Sequence, residues 1–128
     1  MLDHIGFAVS DLERSKAFYL AALAPLGISV VMEVTAEQTG NTAHAGFGTP
    51  GRPFFWIGDG GALTGRLHIA FSAPDRATVD AFYAAAIEAG GTDNGAPGLR
   101  PEYHPTYYGA FVLDPDGHNI EAVCHRPE

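Results

Sequence analysis

Cysteine is almost missing from this chain. Cys124 is the only one in 128 residues, which excludes an intrachain disulfide. Positive charge is scarce as well: 7 Lys and Arg stand against 15 Asp and Glu, a formal charge of −8. That balance suits neither nucleic acid nor an anionic membrane surface. No stretch approaches the ~20 apolar residues of a membrane helix. The opening MLDHIGF carries no basic segment followed by a long apolar run. These absences lead to the expectation of a reduced, untargeted, cytoplasmic protein with no nucleic-acid or membrane partner. A hydrophobic fraction of 46% and a mean hydropathy of +0.01 fit one globular domain, 1–128, with a modest core.

The most informative stretch is Tyr107 to His125, YYGAFVLDPDGHNIEAVCH. Two apolar runs, Gly109–Leu113 and Ile120–Cys124, flank Asp114-Pro115-Asp116-Gly117, whose Asp, Pro and Gly fall where a type I turn favours them. The pattern predicts a β-hairpin. Glu121 lies within its second strand, and an unpaired buried carboxylate is costly. It therefore faces solvent or has a cationic partner elsewhere in the chain.

From the start, Ile5, Phe7 and Val9 alternate with His4, Gly6 and Ala8, the period of a strand, and His4 goes to the face opposite Ile5 and Phe7. Ser10-x-x-Glu13 then reads as a capping box opening a helix, which Pro25 and Gly27 end. Ile28–Val34, Ala43–Thr49 and Phe54–Gly58 read as strands, with Pro50–Pro53 turning between the last two. After this the pattern restarts. With a shift of 64, residues 4–22 match residues 68–86 at 9 of 19 positions, including His4 with His68 and Ala17-Phe18-Tyr19 with Ala81-Phe82-Tyr83. Such a register marks a tandem repeat, about 1–60 and 65–126. Each half is a β-α-β-β-β module, and the second helix carries Val79, Phe82, Tyr83, Ala86 and Ile87 on one stripe. The fold class expected is α+β, with two modules forming a half-barrel, helices outside and a trough inside.

Tandem β-α-β-β-β modules, a His in the first strand of each and a Glu in the last strand of the second resemble the vicinal oxygen chelate superfamily. That group includes glyoxalase I, extradiol dioxygenases, and fosfomycin and bleomycin resistance proteins. DPDGHNIEAV is the most specific part, similar to the family's closing hairpin. The resemblance implies one divalent metal ion (Zn, Ni, Fe, Mn or Co) held by His4, His68 and Glu121. Two imidazoles and a carboxylate leave positions open for water or a bidentate oxygen ligand. A lone His on a strand is more often a surface residue; the repeat that matches the two gives the ligand reading its weight. The resemblance also implies a homodimer and a small-molecule substrate.

Glyoxalase I resembles this pattern but has a fourth protein ligand in the last strand of its first half. Subtracting 64 from Glu121 lands on Ile57, between Trp56 and Gly58, and no carboxylate is there. Weak lactoylglutathione lyase activity is the expectation, with lyase, isomerase or dioxygenase-like chemistry otherwise open. Proton transfer then falls to Glu121, or to His104 or Tyr108. His104 belongs to a 15-residue stretch, Thr92–Thr106, read as a loop and a possible lid. Phe55, Trp56 and Tyr107 are candidate substrate contacts, His44 a weaker one. His118 and His125 read as exposed, and Cys124 as core. The alternative function is a non-catalytic small-molecule binder of the bleomycin-resistance type.

Overall fold

The computed structural model describes residues 1–61 and 63–128. The first module runs through β1 (Ile5–Ala8), α1 (Leu12–Leu23), β2 (Ser29–Val34), a short α2 (Ala36–Thr39), β3 (His44–Thr49) and β4 (Arg52–Gly58). The second runs through β5 (His68–Ser72), α3 (Arg76–Glu88), β6 (Thr92–Leu99), β7 (Tyr108–Leu113) and β8 (Asn119–Cys124). Each builds a four-stranded sheet with its first strand at an edge, in the orders β1-β4-β3-β2 and β5-β8-β7-β6. The sheets do not close into a barrel. This is the α+β architecture that the internal repeat predicts.

Both long helices begin on an aspartate. Asp11 accepts the Arg14 N–H at 3.1 Å, and Asp75 accepts the Thr78 N–H at 2.8 Å. The expected Ser10 capping box does not form, because the Asp11 carboxylate satisfies that orphan donor with a charge-assisted bond. Ser10 instead gives both its N–H and its hydroxyl to Asp116 in the β7–β8 turn. The turn itself is held from inside. Asp114 accepts the Asp116 and His118 N–H groups at 2.9 and 2.8 Å, and its other oxygen takes the buried Tyr19 hydroxyl at 2.5 Å. Burial, and then the adjacent Asp114 charge, push the Tyr19 phenol well above its ordinary pKa. The first helix thus anchors the hairpin that carries Glu121.

The core lies on the helix side of both sheets. β1 pairs in parallel with β4, Ile5 beside Phe55 and Phe7 beside Ile57, so these four side chains share a face. Phe55 is its hub, with edge-on rings from Phe7, Tyr19, Phe47 and Phe71 at centroid distances of 4.9 to 6.0 Å. Phe71 comes from the second module, and α1 packs against α3, so one core runs through both halves.

Two further expectations fail. Thr92–Thr106 is not a long loop: its first eight residues form β6, and only the chain beyond Leu99 turns. Gly95, Pro97 and Gly98 disguise the strand. It tolerates them because it is an edge strand with irregular register at Asp93/Gly95 and Gly95/Gly98. His118 is not exposed but 1% accessible, its Nδ1 accepting the Leu67 N–H at 3.1 Å and its ring edge-on to Phe7. The period of two explains this, because His118 shares the parity of Ile120 and Ala122, which face the core.

Candidate metal and substrate site

In sheet two, β5 and β8 run parallel with Ala70 beside Glu121, and β7 places Phe111 on Glu121's other side. These residues, with His68, lie on the face opposite the core. Glu121 is nonetheless only 1% accessible, because neighbours crowd it. Its Oε1 is 2.9 Å from His68 Nε2, and its Oε2 accepts the Tyr107 hydroxyl. The sequence leaves this acid either in solvent or beside a cationic partner; it is buried, with the His68 imidazole and the Tyr107 hydroxyl as its partners. Burial and the Glu121 bond raise the Tyr107 pKa far above that of a free phenol, so it remains a donor across the working pH range. Gly109 makes the arrangement possible: a Cβ there would stand 3.1 Å from the Tyr107 ring and 3.2 Å from Glu121 Oε2.

The 2.9 Å between His68 Nε2 and Glu121 Oε1 is a hydrogen-bond length, and two ligands of one ion can stand at the same separation. Donors ~2.1 Å from an octahedral ion are about 3.0 Å apart and those around a tetrahedral one about 3.4 Å, so the observed 2.9 Å fits the former as well as it fits a hydrogen bond. The third expected ligand is elsewhere. His4 is exposed, and its Nδ1 lies 2.7 Å from Asp3 Oδ1. Among the described residues no three His, Cys, Asp or Glu side chains converge on one point. His4 and His68 do both line a groove of about 620 Å³ along the outer strands β1 and β5.

The outer face of sheet one is built differently. The register puts Gly6 beside Trp56, and Gly46 on Trp56's other side. The indole lies flat over Gly46, where a Cβ would come within 2.8 Å of it. His44 lies across Gly58 in the same way, its Nε2 2.8 Å from the Thr42 hydroxyl. With His4 they border a depression of about 780 Å³. Because Gly6 and Ala70 are repeat partners, the position matching Glu121 is Trp56, not Ile57. Ile57 is fully buried in the core. The ungapped shift of 64 misses a one-residue difference between the modules that arises before β3. No carboxylate occupies the matching position on either count.

The other sequence candidates separate cleanly. Phe55 is a core residue with no accessible surface. Tyr108 points to the helix side, its hydroxyl 2.7 Å from Asp80 and the Arg76 guanidinium over its ring. Tyr107, not Tyr108, is therefore the tyrosine at Glu121. His104 accepts the Thr106 N–H at 3.2 Å and reaches Glu121 only through rings: His125 at 6.2 Å, which in turn lies 5.1 Å from Tyr107. His125 is exposed and Cys124 buried, as expected. Sequence reasoning singles out neither Arg100, because Thr92–Thr106 reads as a loop, nor Phe111, whose place beside Glu121 shows only in the β7–β8 register.

The chain belongs to the glyoxalase/bleomycin resistance protein/dioxygenase superfamily, whose family model matches residues 1–122. Among solved structures it is similar to a glyoxalase/bleomycin resistance protein from Albidiferax ferrireducens, at 32% identity and TM-score 0.72 over 99% of each chain. It is also similar to a fosfomycin resistance protein from Mesorhizobium loti, at 26% identity and TM-score 0.70 over 96% of this chain and 90% of that one. Glyoxalase I of Zea mays shares the fold at 20% identity and TM-score 0.73; the chain matches 99% of itself but spans only 45% of the maize protein. No curated protein matches. No described helix is long and apolar enough to cross a membrane.

Proposed function

We propose that the protein is a metal-dependent enzyme that holds a small substrate through two neighbouring oxygens, at a centre made by His68 and Glu121 together with His4. The observation that carries this reading is the His68–Glu121–Tyr107 arrangement on the outer face of sheet two. A carboxylate that is 1% accessible, bonded to an imidazole that is 55% accessible, is an open-mouthed donor pair and not a core ion pair. Because His4 stays on sheet one, the third ligand comes from a second copy of the chain, which makes the working unit a homodimer. The groove along β1 and β5, with its unpaired strand edges, is where that copy docks.

A bound divalent ion would supply Lewis acidity and polarise the substrate oxygens. The chain's own residues do the rest. Tyr107 orients Glu121 and keeps its second oxygen satisfied. The Trp56 indole, flat on its glycine floor, offers a stacking wall for an apolar or aromatic substrate body. With Trp56 where a fourth ligand would stand, Glu121 is the one carboxylate for proton transfer, and weak lactoylglutathione lyase activity remains the expectation.

The reading is tested by metal content. Protein purified without chelator should carry about one equivalent of divalent metal per chain. His68→Ala and His4→Ala should each lose most of it, and mixing the two variants should restore part, because each supplies what the other lacks. Full retention by both, or a monomeric mass by light scattering, contradicts the shared centre. A metal-free dimer that still binds small aromatics would favour the non-catalytic binding protein, the reading that the Trp56 wall supports by itself.

A further inference from the structure

Arg100 leaves β6 just after Leu99 and folds back over the sheet. Its guanidinium carbon lies 5.4 Å from the centre of the Phe111 ring. The two glycines of the irregular strand make room for it. A Cβ on Gly95 would lie 3.2 Å from Nη2, and one on Gly98 would lie 3.0 Å from Nη1. Gly95 pairs with Phe111 and Phe111 with Glu121, so the guanidinium lies on the same face as the His68–Glu121 pair. It is two strand spacings from Glu121, ~10 Å. The Phe111 ring fills the interval, 6.3 Å from the His68 ring.

This cation has an unusual environment. Nη2 donates to the Ala96 carbonyl at 2.7 Å, which fixes the plane of the group. Among the described residues no carboxylate lies within ion-pair distance of it. In a chain with 15 acids to 7 Lys and Arg, an Arg held in place by a carbonyl and a ring, with no acid beside it, is poorly explained as surface solubility. A fixed planar fork with free N–H groups is the geometry that recognises a carboxylate or a phosphate.

We propose that Arg100 selects substrates bearing a carboxylate, separated from the end held at His68 and Glu121 by an apolar or aromatic spacer that lies on Phe111. This deepens the metalloenzyme reading and rests on it for the position of the other end. The anion contact itself needs no metal, so the two fail separately.

The test uses the isotope-labelled full chain with chelator present, titrated with 3-phenylpropionate and with the uncharged 3-phenylpropanamide. The Arg100 side-chain N–H and the Phe111 ring signals are followed by NMR. The acid should bind about tenfold tighter than the amide, the scale of one charge-assisted contact. The preference should shrink with salt. Arg100→Gln should abolish it, and Arg100→Lys should retain part, because lysine keeps the charge but not the fork. Equal affinity for acid and amide, no binding of either, or a preference that survives Arg100→Gln overturns the proposal. Metal content of Arg100→Gln, measured separately, should match that of the unaltered protein whichever way the acid behaves.

Discussion

Tyr107→Phe removes one oxygen atom and probes the centre without touching a ligand. Glu121 is 1% accessible, and its two oxygens have separate partners, His68 on one and Tyr107 on the other. Losing the phenol leaves Oε2 buried without a donor, a penalty of about 1–3 kcal/mol for an unsatisfied buried acceptor. Removal of an outer partner of a metal ligand commonly costs ~10–100-fold in affinity, which is the same range. The local geometry favours the lower end. Tyr107 is only half-buried, so a water molecule entering the position that the hydroxyl vacates can replace part of the lost bond. The expected outcome is a metal affinity about tenfold weaker in competition with a coloured chelator, with an unchanged circular dichroism spectrum. Gly109→Ala would put a methyl 3.1 Å from the Tyr107 ring and 3.2 Å from Glu121 Oε2 and push on both, so it should weaken binding even though the phenol remains. If Tyr107→Phe binds metal as tightly as the unaltered protein, Glu121 is not a ligand and the site reading is wrong.

Two further outcomes follow from the packing and the charges. Phe55→Ala opens the centre of the aromatic cluster and should cost about 3–5 kcal/mol in urea unfolding, whereas Trp56→Ala, on the outer face, should cost much less and instead weaken binding of aromatic probes; equal losses would contradict the assignment of faces. Tyr19 keeps its proton in the folded chain to higher pH than in the unfolded chain. Its contribution is therefore complete below pH ~10 and is lost as pH climbs past that value. Tyr19→Phe should lower stability at neutral pH and flatten the alkaline decline, and an unaltered decline would show that other groups cause it.

The repeat made most of the fold legible. Nine matched residues across a fixed shift locate β1, β5 and both long helices, because core faces and helix stripes have periods that survive divergence. The closing hairpin was equally plain, since its turn chemistry is local. What was hidden depends on pairing. β6 looked like a loop because glycine and proline are read as breakers unless one knows that the strand is an edge. Ile57 looked like the partner of Glu121 because an ungapped shift cannot register one extra residue, and only the strand ladder shows that Trp56 is the match. Tyr107 and Tyr108 are neighbours in sequence and point to opposite faces. Choosing between them required the parity of β7, which begins at Tyr108.

The two modules share a backbone plan but have diverged on their outer faces in opposite senses. Sheet one is stripped to glycine at positions 6, 46 and 58, and its bulk there is Trp56 and His44. Sheet two puts Glu121, Tyr107, Phe111 and Arg100 on the corresponding surface. Had both faces served only to stay in water, neither the flat indole nor a carboxylate buried between an imidazole and a phenol would be needed. A division into an aromatic wall and a charged, donor-bearing wall is what a site for an amphipathic small molecule requires, one side to cover its body and the other to fix its oxygens. Each sheet, on the proposed reading, supplies half of that site. On the reading proposed above, His4 closes it from the aromatic wall, so one substitution there should disturb chemistry that His68 and Glu121 anchor on the other.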